Sequence, residues 1–328
     1  MTVLEGILKS ADFLAKKEIE SPRLHAELLL AHVLRLPRMK LYLDFARALS
    51  PAETDALREL VVRRARREPL QHITGATSFC GLEIAVNRSV LVPRPETELL
   101  AEAGWQFLTK LSADGQQPTA LDFGTGSGCI AIALAAKCPG AKIVALDVSA
   151  EALDVARRNA SQNQVAERIE FLHGDGFAAL QNVGQASCLS PTATAVSSGS
   201  ENGETGWKPV PLFDLIASNP PYIPSAEIAA LEPEVRDFDP RGALDGGADG
   251  LDFYRRLAGE AQAFLKLGGR IMLEFGDGQA AAVREIFENQ KWVVESVKAD
   301  YSQRARILIA GKPSANGLQP SAANAAES

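Results

Sequence analysis

Apolar residues recur at helical spacing from Met1 to about Glu68. Leu4, Ile7, Leu8 and Leu14 open the pattern, Leu24, Leu28, Leu29 and Val33 continue it, and Leu57, Leu60 and Val61 close it. Ser21-Pro22 and Ser50-Pro51 are N-cap and first-turn signals for the second and last helices. Residues 1–72 therefore read as a small helical bundle. Between Ile73 and Val92, β-branched and aromatic residues surround Gly75 and Gly81, which predicts a short β-hairpin in a linker over 73–95.

After Pro93-Arg94-Pro95 the pattern changes to apolar strands alternating with amphipathic helices. The predicted strands are Ala120–Phe123, Ile143–Asp147, Ile169–Leu172, Phe213–Ser218 and Arg270–Phe275, and helical segments separate most of them. That order implies βαβ units, a mainly parallel sheet and helices on both faces. Trp292–Val297 and Arg306–Ile309 leave no room for a helix between them and are expected to pair antiparallel. Residues 96–312 thus form the second predicted domain, an open α/β sheet with an antiparallel edge. Ser187 to Gly206 is rich in Ser, Thr, Gly and Ala, and marks a disordered insertion over 184–211. The tail 313–328 has the same character.

Composition narrows the function classes. A chain of 328 residues, 46% hydrophobic, can bury the cores of one large and one smaller domain. With 34 Lys and Arg against 41 Asp and Glu, its net charge of -7 argues against a broad electrostatic grip on nucleic acid. Cys80, Cys129, Cys138 and Cys188 lack the close pairs of zinc or redox sites, so reduced thiols and no metal are expected. No apolar run is long enough for a signal or membrane helix, which gives the expectation of a cytoplasmic protein without membrane contact.

Candidate chemistry begins at Gly124-Thr125-Gly126-Ser127-Gly128, between the first long strand and the helix starting near Ile130. Glycine permits positive φ and close ligand approach, and free N–H groups face outward at a helix start. Alone, the loop is equally compatible with a tight turn. Asp147, closing the next strand, adds a carboxylate able to accept both hydroxyl hydrogens of a ribose. The spacing is G-x-G-x-G, with Cys129 where a dinucleotide fingerprint has its third glycine, which favours S-adenosylmethionine over NAD. Asp175-Gly176-Phe177 can supply a carboxylate for the adenine amino group and an aromatic wall, or be an ordinary turn.

The strand Phe213–Ser218 runs into Asn219-Pro220-Pro221-Tyr222. A planar amide or nucleobase nitrogen is a poor nucleophile because its lone pair is delocalised. The Asn219 side-chain oxygen and the Pro220 carbonyl are acceptors, and neither proline has an N–H, so the four residues form a pocket that only accepts hydrogen bonds. Gripping both N–H groups there would aim the nitrogen at a sulfonium methyl, with Tyr222 against the planar group. A strand ending in a proline-stiffened turn is the plainer alternative. For Arg94, Glu96 and Glu98 the expectation is a proline-bracketed bend and acidic first-turn residues. Asp249 is expected to cap the helix through Tyr254, and Arg58, Arg63, Arg64, Arg66 and Arg67 to form a solvated helix face.

Asp122-Phe123-Gly124-Thr125-Gly126-Ser127-Gly128, Ala145-Leu146-Asp147-Val148-Ser149 and Ser218-Asn219-Pro220-Pro221-Tyr222 resemble the motifs of the release factor glutamine methyltransferases, the HemK/PrmC family. Glu68 to Gly75, Val92 to Glu98 and Pro240 to Gly247 are similar to the family's linker, site-entrance and post-NPPY segments. The resemblance implies a seven-stranded, Rossmann-like class I methyltransferase sheet behind a helical substrate-recognition domain. It implies methylation of the glutamine in a Gly-Gly-Gln motif, with peptide chain release factors as partners. Cofactor contacts would fall on Gly124 to Gly128, Asp147, Asp175, Gly176, Phe177 and Asn219, and substrate would meet Asn219, Pro220, Pro221 and Tyr222. Gly176 departs from the pattern, standing where relatives often carry an aromatic. Three alternatives stay open: a nucleic acid amino-methyltransferase, a ribosomal-protein glutamine methyltransferase, and a non-catalytic adenosine-binding module.

Overall fold

The computed structural model describes residues 1–180 and 212–313. The expected insertion at 184–211 and the tail beyond Pro313 lie outside them. The first helices are α1 (Val3–Ala15), α2 (Pro22–Leu34), α3 (Arg38–Leu41), α4 (Pro51–Ala65) and α5 (Leu70–Thr74). Thr2 and Ser50 each close a capping box, with Glu5 and Glu53 as partners. Ser21 departs from its expected role. It is left-handed at φ 49 with no side-chain cap, because Pro22 already removes the first orphan N–H. Val3, Ile7, Leu14, Leu29, Leu30, Leu57 and Val61 form a buried cluster of their own. Burial of each such Leu stabilises by roughly 1.5–3 kcal/mol.

Strands β1 (Ala76–Phe79) and β2 (Leu82–Ala85) make the expected hairpin, and α6 (Pro95–Ala113) follows. Next come β3 (Thr119–Phe123), α7 (Cys129–Lys137), β4 (Lys142–Asp147), α8 (Ala150–Gln162), β5 (Ile169–His173), β6 (Phe213–Ser218), β7 (Leu265–Glu274), β8 (Val293–Ala299) and β9 (Ala305–Gly311). One seven-stranded sheet orders them β5-β4-β3-β6-β7-β9-β8. β3 to β7 pair in parallel, and β9 lies antiparallel to both β7 and β8. Separate apolar clusters cover the two faces. On one face α6 presses close to the sheet, since a Cβ on Gly104 would stand 2.8 Å from Leu134 and 3.1 Å from Leu215. Among the described residues no helix is long and apolar enough to cross a membrane.

Candidate active site

Strands β3 and β6 are neighbours, with Asp122 opposite Ala217, so the loops leaving their carboxyl ends emerge side by side. The chain winds outward from β3 through β4 to β5 and then returns across β3 to β6. Open α/β sheets take ligands in the crevice made by such a reversal. Ser218 Oγ donates to the Phe123 carbonyl at 2.6 Å and ties the two strand ends together.

Gly124, Gly126 and Gly128 have φ of 74, 54 and 81, the left-handed region that glycine enters without strain. The Gly126 N–H donates to Asp147 Oδ2 at 2.8 Å and the Ser149 N–H to Oδ1 at 2.9 Å. Each carboxylate oxygen keeps a further lone pair for a ligand hydroxyl. Beneath the loop, Asp122 is fully buried and its Oδ2 accepts from Thr125 Oγ1 at 2.6 Å and from the Ala131 N–H at 3.0 Å. Burial outweighs those bonds and raises its pKa to about 7. A cleft of about 240 Å³ opens above, bounded by the glycine loop, Asp147, Val90, Ile130, Phe253 and Asn219.

At the third expected cofactor segment the structure differs from expectation. Phe177 is 2% exposed, stacked 4.6 Å from Phe264 and 5.0 Å from Phe123 in the core, and it does not line the cleft. The aromatics at the cleft are Phe123 and Phe253. Asp175 and Gly176 do line the cleft, but Arg256 Nη1 sits 2.5 Å from Asp175 Oδ1. The Arg256 guanidinium fills the space beside Gly176, where a Cβ would stand 2.1 Å from Nη2.

Asn219 borders the cleft and also a second groove of about 660 Å³ that Tyr222, Ile223, Leu244 and Gln279 line. Its Nδ2 donates to Thr97 Oγ1 at 3.1 Å. Among the described residues no donor meets Asn219 Oδ1 or the Pro220 carbonyl. The Tyr222 carbonyl accepts from Gln279 Nε2 at 2.9 Å, and Tyr222 is mostly buried, which raises the pKa of its phenol. Pro221 lines the cleft and Tyr222 the groove, so Asn219 to Tyr222 run from one to the other. Gly250 comes so close to this turn that a Cβ would lie 2.3 Å from the Tyr222 carbonyl.

Several neighbours of the site lie outside the sequence expectations or depart from them. Glu274 ends β7, is 3% exposed, and has its pKa raised to about 7 by burial. Arg94, expected to serve the bend, reaches Asp239 at 2.8 Å and borders both the cleft and the groove. Arg64, expected on a solvated face, is 5% exposed and pairs with Glu234 at 2.8 Å, while Arg67 pairs with the same oxygen at 3.2 Å. Arg64 is inside because Glu234, on the segment after NPPY, offers it a carboxylate. His25 accepts from Arg64 Nε at 3.1 Å, and burial together with Arg64 lowers its pKa to about 4. Asp249 accepts from the Leu251 N–H at 3.1 Å ahead of a helix that begins at Asp252, so it is not the N-cap residue. The position of Thr97 just inside a proline-started helix, and of Glu274 at the carboxyl end of a parallel strand, are the signals that could have marked these two.

A family model described as the PrmC N-terminal domain matches residues 7–75, and one described as the methyltransferase small domain matches residues 101–188. The release factor glutamine methyltransferase of Geobacter sulfurreducens is 42% identical over 275 residues, 84% of each chain. That of Chlorobaculum tepidum is 42% identical over 308 residues, covering 94% of this chain and 96% of its own. This chain belongs to the release factor glutamine methyltransferases. A member of this family is an S-adenosylmethionine-dependent methyltransferase, and the cleft fits that cofactor: Asp147 has lone pairs for a ribose, and Val90 and Ile130 offer apolar walls.

Proposed function

We propose that this chain methylates the side-chain amide nitrogen, N5, of the glutamine in the Gly-Gly-Gln motif of peptide chain release factors. The observation that carries the reading is the position of Asn219 between cleft and groove, with Nδ2 anchored on Thr97 and Oδ1 meeting no donor among the described residues. Gly124 to Gly128 and Asp147 would hold the cofactor, which supplies an electrophilic methyl group on a sulfonium. Asn219 Oδ1 and the Pro220 carbonyl would each accept one N–H of the glutamine amide, and Tyr222 would pack on its plane. That grip turns the nitrogen lone pair toward the cleft and favours pyramidalisation as the N–C bond forms, a gain concentrated in the transition state. After the bond forms the nitrogen is cationic and strongly acidic, so it sheds one proton to water without a strong base. The helical segment 1–72 would dock the rest of the factor, because a four-residue pocket is too small to recognise a large protein.

The substrate amide must be neutral and carry two hydrogens, since a glutamate would set its oxygens against Asn219 Oδ1 and the Pro220 carbonyl. Incubation of a release factor with enzyme and methyl-labelled cofactor, followed by mass spectrometry, tests this. Label is expected on the glutamine of Gly-Gly-Gln and absent from the Gln→Glu factor. Label on DNA, RNA or a ribosomal protein, with release factors untouched across a range of salt concentrations, would replace the reading.

A further inference from the structure

The turn from Asn219 to Tyr222 has to present its acceptors at a fixed angle, and its two ends are held in different ways. At the near end, β6 and the hydrogen bond from Ser218 to the Phe123 carbonyl hold the chain. Pro220 and Pro221 then lock φ at two successive residues, so most of the remaining backbone freedom lies at Tyr222. The far end is the peptide plane between Tyr222 and Ile223. Its N–H donates to the Leu244 carbonyl at 3.0 Å, and its carbonyl accepts from Gln279 Nε2 at 2.9 Å.

Gln279 stands at the N-cap of the helix Ala280–Asn289, yet its side chain makes no cap bond to that helix. A polar side chain at an N-cap ordinarily serves the first N–H groups of its own helix. Here it reaches the other way. Oε1 accepts from the Gly276 N–H at 2.9 Å, and Nε2 is shared between the carbonyls of Tyr222 and Gly250, the latter at 3.4 Å. One carboxamide thus joins the loop leaving β7, the NPPY turn and the loop at Gly250. A backbone N–H only donates and a carbonyl only accepts, so these partners fix which way round the carboxamide lies. The packing leaves it little slack: a Cβ on Gly276 would stand 2.9 Å from Gln279 Oε1 and 2.9 Å from the Tyr222 ring, and one on Gly250 would stand 2.9 Å from Gln279 Nε2. Gln279 lines the groove together with Tyr222 and does not border the cofactor cleft.

We infer that Gln279 is a positioning residue that holds the far end of the Asn219 to Tyr222 turn, and with it the Tyr222 ring against the substrate amide. The inference rests on the reading of that turn as the grip on the amide. Gln279 acts through Tyr222 and does not touch the reacting atoms. Without its N–H the Tyr222 carbonyl is released, and a displaced grip misaligns the amide nitrogen with the methyl while the cofactor stays where it was.

The test uses the full-length enzyme and its Gln279→Met and Gln279→Glu variants. Met keeps the length of Gln without the amide. For Gln279→Met, kcat on a release factor should fall by about 10- to 100-fold with KM nearly unchanged, while the Kd of S-adenosylhomocysteine stays close to wild type. Gln279→Glu separates positioning from mere support of the loops. Ionised, its carboxylate sets an oxygen against the Tyr222 and Gly250 carbonyls; protonated, it regains one donor and still accepts from Gly276. The two carbonyls raise the pKa of that carboxyl above the ordinary glutamate value of about 4.3. The ratio of its kcat to that of wild type should therefore rise several-fold as pH falls from about 8.5 to about 5.5, whereas the ratio for Gln279→Met stays flat. Arg94, Glu227, Asp249, Asp277 and Arg306 line the same groove and Glu274 ends β7; all are common to the three proteins, so their own titration cancels in the ratio. A flat ratio for Gln279→Glu, wild-type kcat in Gln279→Met, or losses that track melting temperature and cofactor binding would overturn the assignment. Near-normal kcat in Asn219→Ala would instead remove the reading beneath it.

Discussion

In the half of the cleft proposed to take the cofactor, Asp122 accepts from Thr125 three residues on, and Asp147 from Ser149 two residues on and Gly126 on the adjacent loop. In the half proposed to take substrate, Asn219 leans on Thr97 at a separation of 122 residues and Arg94 on Asp239 at 145, and outside the cleft Arg64 pairs with Glu234 at 170. The first half is a loop shaped by its own strands. The second is assembled from three stretches of chain, one of them in the helical bundle. The two should therefore fail separately: damage to the glycine loop weakens cofactor binding, whereas damage far from the chemistry can misplace the substrate and leave the cofactor where it was.

The largest separation is expected at Asn219. Asn219→Ala should lower kcat by about 10²–10³-fold, as loss of a transition-state hydrogen-bonding group does, with little change in calorimetric binding of S-adenosylhomocysteine. Equal losses in both measurements would merge the halves. Asp147→Ala is the converse. It removes the proposed ribose acceptor and strands the Gly126 and Ser149 N–H groups, so cofactor affinity should fall by on the order of 1 to 3 kcal/mol. An unchanged dissociation constant would take Asp147 out of the site.

The same contrast explains what was legible from sequence. The seven strands and the antiparallel β8-β9 pair follow from short apolar runs separated by amphipathic helices, with no helix between the last two. Gly124 to Gly128 directly follow β3 and Asp147 closes β4, positions that the strand pattern alone marks. The turn at Phe177 is compatible in sequence with an aromatic wall or an ordinary turn, and nothing local shows that the ring packs on Phe264 at 4.6 Å. Arg64 reads in sequence as one of a run of exposed arginines, because Glu234, the partner that makes its burial tolerable, lies in another part of the chain. Thr97 is ordinary in sequence and acquires meaning only when α6 brings its hydroxyl to Asn219 Nδ2.

A smaller effect is expected where the helical bundle meets the segment after NPPY. Arg64→Met keeps much of the side-chain volume and removes the buried cation, leaving Glu234 with Arg67 alone. Catalytic efficiency toward an intact release factor should fall by roughly 5- to 10-fold, on the order of 1 kcal/mol, while S-adenosylhomocysteine binds as before. If the variant handled the factor normally, the charged contact would be a structural accessory to the substrate half. A matching loss of cofactor affinity would mean that the bundle supports both halves.

The smallest effect concerns the support of the glycine loop and appears only as a dependence on pH. Burial raises the pKa of Asp122 from 3.8 to about 7, so between those values the folded protein keeps a proton that the unfolded chain has released. Stability from this group is therefore present at low pH and is lost as pH rises toward 7; above that, both states are ionised and the loss is complete. Asp122→Asn has no such titration, and its Oδ1 can still accept from Thr125 and from the Ala131 N–H. Relative to this variant, the wild type should lose about 1 kcal/mol between pH 6 and pH 8. Thermal unfolding of both proteins across that range measures the difference directly. Parallel melting curves would show that Asp122 is already ionised in the folded state at pH 6, and that the Thr125 and Ala131 bonds outweigh burial in holding the loop.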